Sequence, residues 1–596
     1  MSAQPTPIIR QRAMDSARYQ KALDENWPEL LARVIAGRPA PQTDASITDQ
    51  IEPSPSHLAC ERDLADIGVA ARRLAMAVVA GECIAIETDH DVDGVTAHCV
   101  IKATLQHHLG HAQSMTQSYI GHRLREGYGL SDPVVDRMLA ASPRPQLVVT
   151  ADNGSADEAR IARLREHDID VIVTDHHEIP VEGIPQSALA VINPTRDDCG
   201  YGDRCIAGCM VAWLLMRATV TELQRCGYLE NALDLNDLLD FVALGTMADC
   251  VSLARSLNNR WVVREGLKWM NRRLRPCWRA VEANSSDPHP FTEQDLGWVI
   301  GPRINARGRL DDAMAGVAFL LAPDDGQANG WWGLLERDNH ERKRIETGLK
   351  HSAMCLAQAQ VESKCHGLGV FLSDGHPGVH GIVASRVVEA FGRPTVCLSP
   401  VYEQPERVTG SARSVTGFSV KAALDAIALE HPGLLLKWGG HEGAGGLTIA
   451  AEDVERFVEA WDQAVASAHA QTPLALRPQI WSDGQISAVM DIEWVRTLQA
   501  LGPYGREFEA PVFHACAQVR NVKPVGDGTH LKLLLEIDGQ FIDAIWFSAR
   551  RHNEHGEPDP APVAVGDQPT LAFTVGINRF RGRESVQLQV LGMQSK

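Results

Sequence analysis

Three aspartates stand at alternate positions directly after a short apolar stretch near residue 85. Asp89, Asp91 and Asp93 follow residues 84–86, which predict a β-strand, and Gly94 then begins a predicted helix. Carboxylates this close repel one another, and Mg²⁺ and Mn²⁺ are hard cations that bind such oxygen ligands. The cluster by itself is equally compatible with a solvated acidic turn, so the rest of the chain must distinguish the two interpretations.

Two further predicted strands also end in residue types that bind metals. One strand leads into Asp152, and the next leads into Asp175, His176 and His177. Because open α/β sheets carry their sites at the carboxyl ends of parallel strands, we expect the three endings to meet in one crevice. This convergence favours a metal site over an acidic surface turn. Asp249, which follows an apolar helical stretch, is either a further ligand or a surface acid.

The elements that must position these residues alternate between about residues 58 and 195. Short apolar strands separated by amphipathic helices predict a parallel sheet that is covered on both faces. The predicted strands cover residues 83–87, 116–120, 147–150, 171–174 and 188–192, and the predicted helices cover residues 62–80, 94–109, 132–141 and 156–167.

The middle of the chain contains a basic segment and a long helix. Residues 301–310 carry three arginines in a predicted glycine-containing turn, which is either a phosphate-binding turn or a solvated basic loop. Residues 328–361 contain no proline and predict one helix of about 50 Å that bridges two domains.

The last third of the chain predicts two further domains. A second α/β domain begins near residue 367, and in it Ser411 and Arg413 lie in a predicted turn where they could bind an anion. The segment 439–448 is rich in glycine, which allows phosphates to approach the backbone closely. After about residue 475, five short strands predict a small barrel such as an OB-fold.

The composition narrows the class of protein. The chain has 596 residues and a net charge of −19, so we do not expect it to bind nucleic acid through bulk charge. Bound metals or a local basic groove would have to supply that attraction. The 13 cysteines are scattered, which suggests a reducing compartment, and no apolar run is long enough to span a bilayer. We therefore expect a soluble, cytoplasmic protein with no membrane partner.

Ten motifs together resemble the DHH phosphoesterase superfamily, and in particular its RecJ-like branch of single-strand-specific exonucleases. The motifs similar to the DHH domain are DHDVDG (89–94), TADNGS (150–155), VTDHHE (173–178) and GTMAD (245–249). Those similar to the companion DHHA1 domain are GHPGVHGIVASR (375–386), GSARS (410–414) and GGHEGAGGLT (439–448). Those similar to the RecJ-like branch are GHRLREGYGL (121–130), AGCMVAW (207–213) and GPRINARGRLDD (301–312).

The resemblance implies an α/β fold with a parallel-sheet DHH domain, a long helix, a smaller α/β DHHA1 domain and a carboxyl-terminal OB-fold β-barrel. The expected parts are an N-terminal helix and linker (1–55), the DHH catalytic domain (56–325), the connecting helix (326–362), the DHHA1 domain (363–470) and an OB-fold-like nucleic-acid-binding domain (471–596).

The resemblance also implies two divalent cations, Mn²⁺ or Mg²⁺, in each active site. The implied metal ligands are Asp89, Asp91, Asp93, Asp152, His176 and Asp249. All of these except Asp89 are also expected to be catalytic, together with His177, which would lie against the metals or the reacting phosphate. The residues expected to bind DNA or its 5′ phosphate are Arg123, Arg303, Asn305, Arg309, His380, Ser411, Arg413, Gly440 and His441.

The first hypothesis is therefore a metal-dependent 5′-to-3′ exonuclease that hydrolyses single-stranded DNA to mononucleotides with a water activated by two metals. The resemblance implies a role in DNA recombination and repair, with a single-strand-binding protein and a helicase as possible partners. One alternative is a phosphodiesterase for short oligonucleotides or cyclic dinucleotides. Another is an inactive scaffold that binds single strands during replication.

Three positions depart from the pattern of the RecJ-like branch. His90 replaces a residue that is more often aromatic in the first motif, and Ala412 replaces the second glycine of GSGRS. The segment LGPYGREFEAPVF (501–513) lacks the expected PFGxGNP form. The implied metal ligands are intact, so these departures concern substrate preference and the mounting of the barrel rather than catalysis.

Overall fold

A computed structural model describes the chain except for residues 1–5, 124, 232, 402–403, 487–489, 551–557, 581–582 and 595–596. The chain divides into two compact units. The first unit comprises residues 38–341 and 502–509, and the second unit comprises residues 1–37, 342–501 and 510–596.

Nineteen strands form four sheets within the described residues. The strands are β1 (Ile8–Gln11), β2 (Ile84–Thr88), β3 (Thr116–Ile120), β4 (Leu147–Ala151), β5 (Asp170–Thr174), β6 (Ala190–Ile192), β7 (Leu368–Phe371), β8 (Thr395–Val401), β9 (Gln404–Arg413), β10 (Lys437–Gly440), β11 (Ala444–Ala450), β12 (Gln479–Ser482), β13 (Gly484–Gln485), β14 (Phe513–Cys516), β15 (Gln518–Val525), β16 (His530–Ile537), β17 (Gln540–Trp546), β18 (Thr570–Phe580) and β19 (Arg583–Gln594).

Eighteen α-helices accompany them in the same described part of the chain. The helices are α1 (Ser16–Asp24), α2 (Glu29–Ala36), α3 (Ile47–Ile51), α4 (Ile67–Ala80), α5 (Val92–Ala103), α6 (Asp132–Ala140), α7 (Glu158–Arg165), α8 (Gly208–Arg225), α9 (Leu239–Ala248), α10 (Leu257–Asn271), α11 (Pro276–Ala283), α12 (Gly301–Leu310), α13 (Met314–Leu320), α14 (Asp325–Glu362), α15 (His380–Phe391), α16 (Val420–Glu430), α17 (Val454–Gln471) and α18 (Ile492–Ala500).

The first unit contains the predicted parallel sheet. Its five strands have the order β3-β2-β4-β5-β6, and every neighbouring pair is parallel. Thr88 pairs with Ala151, and Ala151 pairs with Thr174, so the carboxyl ends of β2, β4 and β5 lie side by side. All residues of β2 and β4 are buried, as expected for strands that are covered on both faces. The α/β fold class and the parallel sheet are confirmed.

The second unit contains a mixed sheet and a larger sheet of short strands. The mixed sheet has the order β10-β11-β9-β8-β7, with only the β7–β8 pair parallel. The larger sheet has the order β13-β14-β18-β19-β17-β16-β15 and contains the five strands predicted near the carboxyl terminus. The additional strands β13 and β14 are two and four residues long, which is too short for alternation to reveal them.

Two predicted turns are wrong. Residues 301–310 form the helix α12, and residues 410–413 belong to β9, which lies between β8 and β11. Both segments contain glycine and polar residues that are typical of turns. In each case, packing against neighbouring elements overrides that local preference.

Two further features concern the amino-terminal region and the long helix. The sequence predicts a single short helix in the first 50 residues, which is wrong, because α1, α2 and α3 all begin there. The strand β1 also forms there and pairs in parallel with β12. The long helix is confirmed as α14. Within the described ranges, no helix combines the length and apolar character needed to cross a membrane.

Candidate metal centre

The first acidic motif forms a tight loop between β2 and α5. Asp91 caps α5, because its Oδ1 accepts hydrogen bonds from the backbone N–H groups of Asp93 at 2.9 Å and Gly94 at 3.2 Å. A Cβ atom at Gly94 would overlap the backbone oxygen of Asp89, so this position requires glycine. The loop therefore holds the three aspartates in one compact arrangement.

Asp93 is held by the amino terminus of α8. Its Oδ2 accepts a hydrogen bond from the N–H of Gly208 at 2.6 Å, and its Oδ1 accepts one from the N–H of Cys209 at 2.9 Å. The first N–H groups of an 18-residue helix have no partner within the helix, and together with the helix dipole they stabilise a carboxylate there. A Cβ at Gly208 would lie 2.8 Å from the Cβ of Asp152, so this glycine lets the helix approach both acids.

Asp152 follows β4 in a left-handed conformation, with φ of 63°. Its N–H donates to the backbone oxygen of Thr174 at 2.9 Å, which joins the ends of β4 and β5. Its side-chain Oδ1 lies 3.1 Å from Nε2 of His176. The side chain of Asp152 is thereby brought to the centre of the crevice.

His176 brings the remaining predicted ligands together. Its Nε2 lies 3.7 Å from Oδ2 of Asp93 and 3.6 Å from Oδ2 of Asp249. Asp249 follows directly after α9, whose residue Gly245 packs so closely that an added Cβ would lie 2.8 Å from Oδ1 of Asp93. The structure therefore places Asp249 at the crevice rather than on a remote surface.

Asp175 is a buried anchor of the site to which the sequence analysis gave no role of its own. Its Oδ1 accepts hydrogen bonds from the N–H groups of His176 and His177 and from Nδ1 of His177, and its Oδ2 accepts one from the N–H of Ser155. Burial alone would raise the pKa of Asp175, but the hydrogen bond and charge of His177 hold it well below the usual range. The position of Asp175 directly after a predicted strand is the feature of the sequence that could have identified it as a site residue.

His177 is oriented by this anchor. Burial lowers the pKa of His177, but the hydrogen bond and charge of Asp175 raise it to about 9. The ring lies against that of His176, with centroids 4.6 Å apart, and 47% of the side chain is exposed. His177 is therefore a fixed, partly accessible imidazole at the mouth of the crevice.

The crowded carboxylates repel one another when no cation is bound between them. Burial and the neighbouring aspartates raise the pKa of Asp91 to about 6, and they raise the pKa values of Asp152 and Asp249 well above the usual range. Asp152 Oδ1 and His176 Nε2 face each other at 3.1 Å, but among the described residues neither of these buried atoms makes a hydrogen bond of suitable geometry. Divalent cations would satisfy such lone pairs and relieve the repulsion among the carboxylates.

The donor atoms form overlapping groups that suit such ions. In each group, one atom from each of three residues lies within 4.8 Å of the others. The groups are Asp89, Asp91 and Asp152; Asp93, His176 and Asp249; and Asp152, His176 and His177. Carboxylate oxygens with one or two imidazoles are typical ligands of Mn²⁺ and Mg²⁺, so the residues present fit both metals.

The unusual His90 belongs to this arrangement. Its Nδ1 lies 2.8 Å from Oδ1 of Asp89, and its ring meets the edge of Tyr128 at a centroid distance of 5.2 Å. Burial raises the pKa of Asp89, but the charge and hydrogen bond of His90 bring it below its ordinary value. His90 therefore places a basic ring nitrogen beside the Asp89 carboxylate, which a phenyl ring lacks.

Helix α12 packs along the loop between β2 and α5, which we call the metal loop. Oδ1 of Asn305 accepts a hydrogen bond from the N–H of Val92 at 3.1 Å, so the side chain contacts the start of α5. Arg303 pairs with Glu336, donates to the backbone oxygen of Val299 at 2.6 Å and lies over the ring of Trp332. Both side chains are thus engaged within the protein.

The other two predicted DNA-contacting arginines of the first unit lie on different segments. Arg123 is in the turn after β3, and Arg309 is in the last turn of α12; both are half-buried. Gly308, next to Arg309, faces the metal loop, since an added Cβ would overlap the backbone oxygen of His90.

The remaining predicted phosphate-binding residues lie in the second unit. His380 begins α15 and its Nε2 contacts Oγ of Ser399 at 2.6 Å. Arg413 lies so close to Gly381 that an added Cβ would overlap its guanidinium. Register places Ser411 opposite Cys397 and Gly446, two residues from Arg413 on β9. The structure therefore brings the start of α15 and the end of β9 together.

Gly440 ends β10, and His441 begins the turn that leads to β11. Gly440 has a φ of 140°, a conformation that favours glycine, and pairs with Gly445. The N–H of His441 donates to the backbone oxygen of Ala444, and its side chain is exposed. Ala444 in turn pairs with Arg413, so this turn adjoins the end of β9.

Three protein-family models match the chain. The DHH family N-terminal domain matches residues 83–246, the DHHA1 domain matches residues 366–467, and the RecJ OB domain matches residues 483–592.

Relatives of similar length carry one name, single-stranded-DNA-specific exonuclease RecJ. The relative from Dickeya dadantii is 34% identical over 580 residues, which cover 95% of this chain and 96% of the relative. The one from Haemophilus influenzae is 35% identical and covers 85% of this chain and 87% of its own. The one from Escherichia coli is 33% identical and covers 97% and 98%.

Solved structures show the same fold. RecJ from Thermus thermophilus in complex with Mn²⁺ is similar over 100% of this chain and 80% of its own, with a TM-score of 0.76 and 23% identity. An exonuclease RecJ bound to manganese is similar over 69% of this chain and 98% of its own, with a TM-score of 0.56 and 29% identity.

Proposed function

This chain belongs to the RecJ family of the DHH superfamily, and from that premise we propose that it is a metal-dependent exonuclease specific for single-stranded DNA. The observation that carries the proposal is the meeting of Asp93, Asp152, His176 and Asp249 at one sheet edge, with buried donor atoms that lack hydrogen-bond partners among the described residues. The hydrolysed bond is a phosphodiester of the strand, and the product is a mononucleotide.

The proposed cofactor is a pair of Mn²⁺ or Mg²⁺ ions. Asp89, Asp91 and Asp152 would hold one ion, and Asp93, His176 and Asp249 would hold the other. Asp152 belongs to the first group, and its Oδ1 lies 3.1 Å from Nε2 of His176 in the second. When bound, such ions supply Lewis-acid stabilisation of the phosphate and lower the pKa of the attacking water. The rest of the site orients these ligands through the hydrogen bonds of Gly208, Cys209 and Asp175 described above.

His177 is the residue that we propose acts on the reacting phosphate. Asp175 accepts the Nδ1 proton of His177, so the opposite ring nitrogen, Nε2, is the one available to a ligand. An imidazole held in this tautomer can donate a proton from Nε2 to a phosphate oxygen when it is protonated. Asp175 acts through His177 and is a positioning residue.

The second unit supplies the group that we propose for the 5′ phosphate. Arg413 offers a planar guanidinium beside the start of α15, and Ser411 offers a hydroxyl two residues away on the same strand. A planar fork binds a terminal phosphate bidentately. Recognition of that end would give the 5′-to-3′ polarity of digestion.

One assay tests the activity. A 5′-labelled single strand is incubated with Mn²⁺ and either the wild-type protein, Asp152→Ala or the surface control Asp136→Ala, whose side chain pairs with Arg163. We expect the wild type and the control to release labelled mononucleotide, and Asp152→Ala to lose activity by at least about 1,000-fold. Absence of release by the wild type with both metals would disprove the proposal.

A second assay tests the 5′-phosphate site. Arg413→Ala should slow digestion of 5′-phosphorylated strands more than that of strands with a 5′ hydroxyl. The matched control is Arg407→Ala, which removes an exposed arginine from the same strand, β9. An equal loss on both kinds of end would show that Arg413 has only a structural role.

The biological setting is also part of the proposal. Roles in DNA recombination and repair, contact with a single-strand-binding protein or a helicase, and a cytoplasmic location agree with an enzyme that degrades single strands. A substrate series from dinucleotides to long strands tests the substrate class, because an OB domain is expected to favour long strands.

A further inference from the structure

The segment Gly502–Glu509 is an unusual part of the first unit. In sequence it lies between α18 and β14, whose residues belong to the second unit. The segment itself groups with residues 38–341, which contain the metal centre. We call it the inserted loop.

The inserted loop is attached to the turn that follows Asp249. The N–H of Leu253 donates to the backbone oxygen of Arg506 at 3.1 Å. Oε2 of Glu507 accepts hydrogen bonds from Oγ of Ser252 at 2.5 Å and from Nε of Arg255 at 2.9 Å. These bonds fix the middle of the loop against residues 252–255.

A second set of contacts fixes the base of the loop on α10. Arg260, whose side chain is buried, donates to the backbone oxygen of Pro503 at 3.3 Å and covers the ring of Phe508 at 4.4 Å. Arg264 donates to the backbone oxygen of Gly502 at 2.9 Å. The inserted loop is therefore held by contacts both at its base and at its middle, unlike a surface loop that has no such contacts.

The inserted loop holds the side chain of Arg506 at Cys250, the residue that follows Asp249. Arg506 is exposed, and its Nη1 donates to the backbone oxygen of Cys250 at 3.3 Å. Its positive charge opposes the rise in the pKa of Asp249 that burial and the other aspartates cause. A guanidinium has five N–H donors, and the bond to Cys250 uses one of them.

We propose that Arg506 binds a phosphodiester group of the single strand at the Asp249 side of the metal centre. The proposal rests on the proposed function, since it places a strand in the crevice. The guanidinium of Arg506 is suited to this task because its planar fork matches two phosphate oxygens. The contacts of the inserted loop also order its backbone before a strand binds, which reduces the entropy cost of binding. An arginine here also gives an acidic crevice a cationic contact for a polyanion.

The experiment measures binding of a 5′-phosphorylated oligo(dT) in an Asp152→Asn background, so that cleavage does not interfere. Adding Arg506→Ala should weaken binding about tenfold, and the slope of log K against log salt concentration should become shallower by about 0.7 because one phosphate contact is lost. Arg506→Lys should keep the slope and lose part of the affinity. Binding of Mn²⁺ to the protein without the Asp152 substitution, measured by calorimetry, should not weaken in Arg506→Ala, because the change removes a positive charge from beside a cation site.

Arg225→Ala is the charge-matched control. Arg225 ends α8, roughly 25 Å along the helix from Gly208, and pairs with Glu222. It should change neither binding nor the slope. An unchanged slope in Arg506→Ala, or a loss of Mn²⁺ affinity instead, would overturn the proposal. Failure of the wild type to cleave would refute the exonuclease proposal separately, because the binding slope needs no cleavage.

Discussion

Asp152 is a buried carboxylate with four other aspartates nearby. Burial and the charges of four other aspartates raise its pKa well above the usual range. A neutral amide of similar shape would remove this repulsion in the metal-free protein but would also remove a central ligand. Stability without metal and activity with metal should therefore respond in opposite directions.

We predict that Asp152→Asn raises the stability of the metal-free protein, by on the order of 1 kcal/mol or more, because it removes a buried charge that four other carboxylates repel. The measurement is thermal unfolding in the presence of a chelator, with Asp136→Asn as the surface control. Adding Mn²⁺ should stabilise the wild type far more than the variant. A variant less stable than the wild type without metal would contradict the inferred repulsion.

Asn305 could either contact the DNA strand or support the metal-binding segment, and the sequence alone did not distinguish these two roles. The RecJ-like resemblance implied contact with the strand, whereas its Oδ1 accepts a hydrogen bond from Val92 at the start of α5. This bond helps to hold the segment that carries Asp91 and Asp93.

We predict that Asn305→Ala lowers Mn²⁺ affinity by about 10–100-fold, the usual effect of removing a group that orients a ligand. Calorimetry with Mn²⁺ provides the measurement, and oligo(dT) binding without metal should be unchanged. Asn329→Ala on α14, which removes an exposed side chain bonded to Asn284, is the control. A loss of DNA binding with normal Mn²⁺ affinity would favour the strand-contacting role instead.

Single residues also show where the sequence analysis was incomplete. Asp175 and Gly208 shape the site without being among the predicted site residues. Asp175 accepts four hydrogen bonds within its own turn and from Ser155, and Gly208 permits contact between α8 and Asp152. The motifs that contain them were visible, but their roles depend on contacts that spacing along the chain does not specify.

At the level of elements, helix α12 shows how packing overrides local preference. Its Gly308 faces the backbone oxygen of His90, and no larger residue fits there. The glycine that suggested a turn is instead the point of closest approach between α12 and the metal loop.

We predict that Gly308→Ala lowers exonuclease activity by at least about tenfold and also lowers the unfolding temperature, because overpacking costs about 1–3 kcal/mol. The control is Gly330→Ala on α14, where an added Cβ meets nothing within 4 Å. That change should stabilise the protein by up to about 1 kcal/mol through helix propensity. Equal behaviour of the two variants would argue against the close packing of α12.

Strands that are continuous apolar runs were predictable, whereas the polar, glycine-containing end of β9 was not. β2, β4 and β5 are continuous apolar runs followed by polar residues, and each lies within about a residue of its predicted range. The end of β9, by contrast, reads GSAR and is recognisable as a strand only through its pairing with β8 and β11. Long-range hydrogen bonds supply what local sequence lacks there.

At the level of the whole molecule, the chain forms two compact units, and all of the proposed metal ligands lie in the first. Ligand binding stabilises only the unit that contains the site, by RT ln(1 + [L]/Kd) when the units unfold separately. Bound metal should therefore raise the unfolding temperature of the first unit and leave that of the second unit unchanged.

We predict two calorimetric unfolding transitions, of which Mn²⁺ raises one and leaves the other unchanged. At a free Mn²⁺ concentration of 100 times Kd, the stabilisation should be about 2.7 kcal/mol. Asp152→Ala should abolish the shift, and Arg413→Ala should leave it intact. A single transition that moves as a whole would contradict independent unfolding of the two units.

The sequence by itself determined the family, the parallel strands of the first unit and the set of acidic and histidine residues at their ends. These properties are local: apolar runs predict strands, and the residues after them follow from chain order. Only the tertiary structure decided that α8 holds Asp93, that α12 packs on the metal loop and that the inserted loop carries Arg506 to the backbone of Cys250, next to Asp249. Contacts between distant segments depend on complementary packing of whole elements, and no local pattern in the chain encodes them.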